Sequence, residues 1–130
     1  MTAKLSLQSS ADAPAIAGDW IMDHCRQAAL EGTPSFHVMT CVVEAVNNCI
    51  EHAYRGSSGE IRIRLFRSAR WLVVQIQDRG QPVNRQPAQA DPDPMQLGGR
   101  GWFIMQQWMD IARYRRCKRE NVVTLVKCLG

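Results

Sequence analysis

The chain has 130 residues, 45% of them apolar, which suits one compact domain with a core of its own and leaves little room for a second. No stretch approaches the roughly 20 apolar residues of a membrane span, and the N-terminal MTAKLSLQSS lacks a long apolar secretory core, so the sequence predicts a cytoplasmic protein without membrane contact. A net charge of +4 favours an anionic ligand or partner without naming one, and the five cysteines, with no C-x-x-C pair, read as reduced core fillers rather than zinc ligands.

In chain order, residues 4–8 alternate as a short strand, and residues 14–30 read as a helix closed by Glu31-Gly32-Thr33-Pro34. Residues 35–55 carry the clearest helical signal. Met39, Val42, Val43, Val46, Ile50 and Ala53 recur at i, i+3, i+4 as an apolar stripe, and Glu44, Asn48, Glu51 and Arg55 form a polar stripe opposite it. Glu51 and Arg55 are spaced for an i,i+4 ion pair. A Gly-Ser-Ser-Gly turn leads to strands over 60–66 and 71–77, which read as a hairpin.

From 79 to 97, Pro82, Pro87, Pro92 and Pro94 stand among Gln and Asp and forbid regular structure. So long a loop in a compact domain is usually a functional lid or a disordered segment. A short helix over 102–109 follows, then strands over 111–116 and 122–128 with a polar turn at 118–121. The order predicts an α/β (α+β) two-layer sandwich, a mostly antiparallel mixed sheet covered on one face by three helices. Arg62 and Arg64 alternate with Ile61, Ile63 and Leu65, so the uncovered face is basic.

Three places carry chemistry. Glu44 and Asn48, one helical turn apart, set a carboxylate beside an amide oxygen, a pairing suited to a hard cation and to taking a proton from a nucleophile, although any amphipathic helix has a solvated polar face. Asp78 is in phase with Leu72, Val74 and Ile76 and points to the helix-covered side, where a carboxylate needs a donor such as an adenine amine; the plain alternative is a strand-ending Asp in a polar turn. Leu97-Gly98-Gly99-Arg100-Gly101 precedes a helix, so its backbone N–H groups can converge on an anion, or the glycines simply solve a packing problem. The loop matches neither a Walker A motif nor a Rossmann fingerprint.

Taken in order, Glu44-Ala45-Val46-Asn47-Asn48-Cys49-Ile50-Glu51-His52-Ala53-Tyr54, then Asp78-Arg79-Gly80, then Gly99-Arg100-Gly101 strongly resemble the boxes of GHKL ATPases. Within that superfamily the chain resembles the single-domain bacterial anti-sigma factor serine/threonine kinases, over nearly its whole length. The resemblance implies one ATP-binding kinase domain over residues 1–130, of histidine-kinase-like fold, with an ATP lid at about 79–98. It implies Mg-ATP, with Glu44 as the general base, Asn48 as the Mg²⁺ ligand, Asp78 as the adenine reader and Gly80 beside the base. Gly98, Gly99, Arg100 and Gly101 correspond to the phosphate loop, Arg100 reading equally as a solvated residue, and Thr124 faces the pocket if its phase with Val122 and Val126 is the pocket phase.

The implied partners are a STAS-domain anti-anti-sigma protein, which would be phosphorylated on serine, and a sigma factor or equivalent target, with the kinase as a homodimer. The sequence departs from the pattern at Gln81-Pro82, where longer GHKL enzymes carry a second glycine, and at Trp102, where a smaller aliphatic residue is commoner. His52 is read as a packed or rim residue, not a phosphohistidine. A second reading keeps ATP as a structural or allosteric ligand while partner capture does the work. A third makes Arg62, Arg64, Arg113, Arg115 and Arg116 a nucleic-acid surface; few aromatics interleave with them, so no direct nucleic-acid contact is expected.

Overall fold

The computed structural model describes residues 1–82 and 100–130. Strand β1 (Thr2–Gln8) leads into helix α1 (Ala13–Gln27), then helix α2 (Gly32–Asn48), which continues without a break into a π-helical segment, Cys49–Tyr54. Strands β2 (Glu60–Arg67) and β3 (Trp71–Asp78) follow, then helix α3 (Arg100–Trp108) and strands β4 (Ile111–Cys117) and β5 (Glu120–Cys128). The sheet order is β1-β2-β3-β5-β4, and every neighbouring pair is antiparallel, so the sheet is not mixed as expected.

Helix α1 ends at Gln27, earlier than the Gly32 break suggests. Ala28, Ala29 and Leu30 turn their N–H groups back onto the carbonyls of His24, Cys25 and Arg26, and Ala29 takes the left-handed φ of 56° that closes the turn. Helix α2 starts earlier than expected, at Gly32, because Pro34 falls in its first turn, where a missing N–H costs nothing.

The alternation in the strands sorts the two faces. Ile61, Ile63 and Leu65 of β2, Leu72, Val74 and Ile76 of β3 and Leu125 of β5 are buried beneath the helices. On α2 the apolar surface is broader than one stripe. Val38, Cys41, Val42, Ala45 and Val46 are fully or almost fully buried. Met39 and Val43 pack instead against Gly18 of α1, where an added Cβ would lie 3.2 Å from Val43 Cγ2. Helix α3 closes the layer with Trp102 and Met105, and Met109, just after it, joins the same core.

The far side of the sheet is open and basic. Cross-strand register puts Lys4, Arg64, Gln75, Thr124 and Arg113 in one row and Ser6, Arg62, Gln77, Val122 and Arg115 in the next. Among the described residues, no helix is long and apolar enough to cross a membrane.

Candidate functional site

Asp78 ends β3 with its carboxylate on the helix-covered side, as its phase predicts, and is only 5% exposed. A buried carboxylate must be hydrogen-bonded. Its Oδ1 accepts from the Gly80 backbone N–H at 2.8 Å and from Asn121 Nδ2 at 2.8 Å. The Cys49 thiol, fully buried where α2 passes into its π-helical end, also hydrogen-bonds to Asp78; burial first, then the Asp78 charge, pushes its pKa well above the usual thiol value. A carboxylate offers about four lone-pair directions, so acceptor capacity remains for a ligand amine.

The turn after Asp78 is fastened at each amide. Arg79 N donates to Tyr54 Oη at 2.9 Å, Gly80 N to Asp78, and Gln81 N to the Ala53 carbonyl at 2.8 Å. Gly80 is required by close approach, since a Cβ there would sit 2.5 Å from the Ala53 carbonyl carbon and oxygen. Tyr54 Oη in turn donates to the Glu60 carbonyl at 2.5 Å. The π-helical segment is therefore the floor on which the Asp78 turn rests. Such i→i+5 turns recur at functional sites.

Asn121 escapes a reading of the sequence, where it closes a polar turn. In the fold it is directly opposite Asp78 on β5, 2% exposed, and it saturates its amide. Its nitrogen serves Asp78 and the Gln81 carbonyl (2.8 Å), and its oxygen accepts from Tyr114 Oη at 2.5 Å and Arg116 Nη1 at 3.2 Å. The one sequence signal is its phase with Leu125, the buried residue four positions on.

Glu44 and Asn48 are both half-buried on α2, one turn apart. Burial, and secondarily the charge of Glu51, raises the Glu44 pKa above the ordinary carboxylate value. Gly101, near the start of α3, lies directly against this side chain: a Cβ on Gly101 would be 2.5 Å from Glu44 Oε2. Trp102 follows, 4% exposed, its indole N–H without a partner among the described residues. The fold thus brings Glu44 to the backbone that follows the glycine loop, and Asp78 to the buried end of the same long helix.

Other expected residues stand differently. Gly98 and Gly99, and the lid beyond Pro82, lie outside the described residues; Arg100 is the first residue of α3. Thr124 is in phase with Val122 and Val126, but that phase is the open face: its hydroxyl accepts from Gln75 Nε2 at 3.3 Å, on the side away from Asp78. Thr124 therefore does not line the site. Glu51 pairs with His52 at 3.8 Å rather than with Arg55, because Arg55 leaves the helix with a left-handed φ of 51° and turns its Nε to the His52 carbonyl.

Residues 7–127 match the model of the histidine kinase-like ATPase domain. The chain belongs to that family. Among its relatives, an anti-sigma F factor of Thermoanaerobacter sp. (strain X514) is 32% identical over 78 residues, 56% of this chain and 54% of that protein. The serine/threonine-protein kinase BtrW of Bordetella bronchiseptica is 30% identical over 96 residues, 69% of this chain and 68% of that one. The chain spans about half the length of the anti-sigma F factors it matches first. A solved structure of the RsbU and RsbW domains of Rv1364c from Mycobacterium tuberculosis shares the fold, with a TM-score of 0.74 over 98% of this chain and 32% of that chain, at 15% identity. These likenesses bear out the GHKL resemblance and the α/β sandwich.

Proposed function

We propose that the chain binds Mg-ATP between α2, the Asp78 turn and the start of α3, and transfers the γ-phosphoryl group to a serine of an anti-anti-sigma partner with a STAS domain. In this reading the transfer controls release of a sigma factor or an equivalent target. The observation that carries it is the contact between Gly101 and Glu44, which joins the helix after the glycine loop to a half-buried carboxylate of raised pKa. The similarity to BtrW and to anti-sigma F factors supports the kinase class.

The residues fit the ligand. Asp78 is held rigid by Gly80 and Asn121 with acceptor capacity left for an adenine amine. Backbone N–H groups of Gly98 to Gly101 and the N-terminus of α3 would take the phosphate charge, with Arg100 beside them. Asn48 supplies an amide oxygen for Mg²⁺, a cation that commonly keeps its waters and the substrate phosphates and takes one or two protein oxygens. When bound, the metal neutralises charge building on the transferring phosphoryl group. Glu44, a stronger base than a solvated carboxylate, accepts the proton of the attacking serine hydroxyl, and the β-phosphate oxygen leaves on ADP.

Incubation with Mg-ATP and a candidate STAS-domain partner should give one phosphoserine, read by mass spectrometry. Glu44→Gln should lower the rate by about 100-fold or more with nucleotide affinity retained. Intact nucleotide binding with no phosphoserine on that partner would remove the kinase claim.

A further inference from the structure

Behind the Asp78 turn is a cavity of about 590 Å³; Gly80 lines it, whereas Glu44, Asn48 and Asp78 do not. Its walls come from the end of the π-helical segment, the 57–58 turn, the 79–82 turn and the β4–β5 hairpin, and they bring together Arg55, Arg79, Arg116 and Arg119, with Ser57 and Ser58 between them. Among the described residues no Asp or Glu lines it.

The nearby acids are already engaged. Glu60 and Glu120 both pair with Arg62, at 3.7 and 2.5 Å. Among the described residues none of the four cavity arginines forms an ion pair. Arg55 is held in its left-handed conformation with Nε on the His52 carbonyl. Four arginines line one hollow, and their like charges favour a polyanion as its occupant. Guanidinium forks match phosphate oxygens bidentately, and a volume of this size is that of a small-molecule site.

We infer that this hollow is a binding site for a small molecule carrying a chain of two or more phosphates. It is coupled to the Asp78 turn through one side chain. Arg116 Nη1 donates to the Gly80 carbonyl at 2.8 Å and to Asn121 Oδ1 at 3.2 Å, and Asn121 holds Asp78. An anion that draws on Arg116 therefore bears on the carboxylate proposed to read adenine, and by linkage the two ligands change each other's affinity by one common factor. This coupling rests on the nucleotide-binding reading; the anion site itself does not.

The test is calorimetric titration of the full chain with sodium tripolyphosphate in low salt, without nucleotide or Mg²⁺. Binding should weaken by about tenfold or more in Arg55→Ala/Arg119→Ala, two exposed positions whose removal circular dichroism should show to leave the fold intact. Arg64→Ala/Arg113→Ala, which removes equal charge from the open sheet face, should leave it within about twofold. No binding by the native chain, equal loss in both pairs, or loss in Asn48→Ala instead would overturn the site. For the coupling, adenosine, which has no phosphate to compete, should change its affinity about threefold or more when tripolyphosphate saturates the native chain but not the Arg55→Ala/Arg119→Ala chain. An unchanged value in the native chain would overturn the coupling, and a failure of adenosine to bind at all would count against the nucleotide reading while the anion titration stood.

Discussion

Asn121 shows how much of the site depends on one unremarkable side chain. Its amide fills four hydrogen bonds in a place only 2% exposed, so Asn121→Ala strands the Gln81 carbonyl and one side of Asp78. The expected cost is about 1–3 kcal/mol in urea denaturation, with adenine nucleotide affinity falling about tenfold in a titration at a temperature where the variant is folded. The sequence hides this because the two partners stand 43 residues apart, and no local periodicity links them. Asp78 is legible, since its own strand sets its phase. At Glu44 the sign of the pH effect can be worked out. Its pKa is raised in the fold, so the folded chain binds more protons than the unfolded one in the window from the ordinary carboxylate value up to the raised one; stability is lost as pH rises through that window. Glu44→Gln should therefore raise the Tm at neutral pH by a few degrees, roughly, and the difference should vanish in acid, where both states hold the proton. The rate of transfer runs the other way and falls as acid protonates the base. An equal Tm difference at pH 7 and in acid would show that the gain is not electrostatic.

Elements explain why two glycines so near the same site should respond oppositely to a methyl group. Gly80 faces backbone: the Ala53 carbonyl carbon and oxygen are 2.5 Å from the added Cβ, and neither can move without lifting the π-helical segment from the Asp78 turn. Gly80→Ala should destabilise by about 2 kcal/mol or more, seen as a lower midpoint in denaturant. Gly101 faces the end of a flexible side chain, Glu44 Oε2, and lies in α3, where alanine is the better helix former by about 1 kcal/mol. Gly101→Ala should keep the fold and displace the carboxylate, so phosphoryl transfer should fall about tenfold or more at near-native Tm. The same segment marks where sequence reading stops. A helix over 35–55 was legible from its apolar period, but neither the change to i→i+5 bonding at Cys49 nor the left-handed end at Arg55, which breaks the expected Glu51–Arg55 pair, has a compositional mark. Thr124 failed for a related reason. Alternation says which residues share a face but not which face is covered, and Val122 and Val126, its apolar phase-mates, lie on the open one.

For the molecule as a whole, the layered fold was legible because β2 alternates apolar with basic residues and β3 sets Val74 and Ile76 against Gln75 and Gln77, and each helix has one side that must be covered. The cysteines follow the same division. Cys25, Cys41 and Cys49 are buried, the first two with pKa values pushed up to about 11 and about 12 by burial, while Cys117 and Cys128 are exposed. A thiol reagent at pH 8 should count two groups in the folded protein and five after unfolding, and rapid reaction of all five would mean that the core is not closed. The strongest global check joins site to stability. A ligand that binds only the folded chain stabilises it by RT ln(1 + [L]/Kd), about 2.7 kcal/mol at a hundredfold excess over Kd, which for a domain of this size is a rise in Tm of roughly 8–12 °C. Mg-ATP should produce that rise, and Asp78→Asn should erase it, because an amide in place of the carboxylate sets a donor where the adenine amine needs an acceptor. Glu44→Gln should keep it, since a base that acts on the serine proton contributes to the transition state rather than to nucleotide affinity. A native chain whose Tm does not move with Mg-ATP would remove the nucleotide site, and a Glu44→Gln chain that no longer responds would place Glu44 in binding instead of transfer.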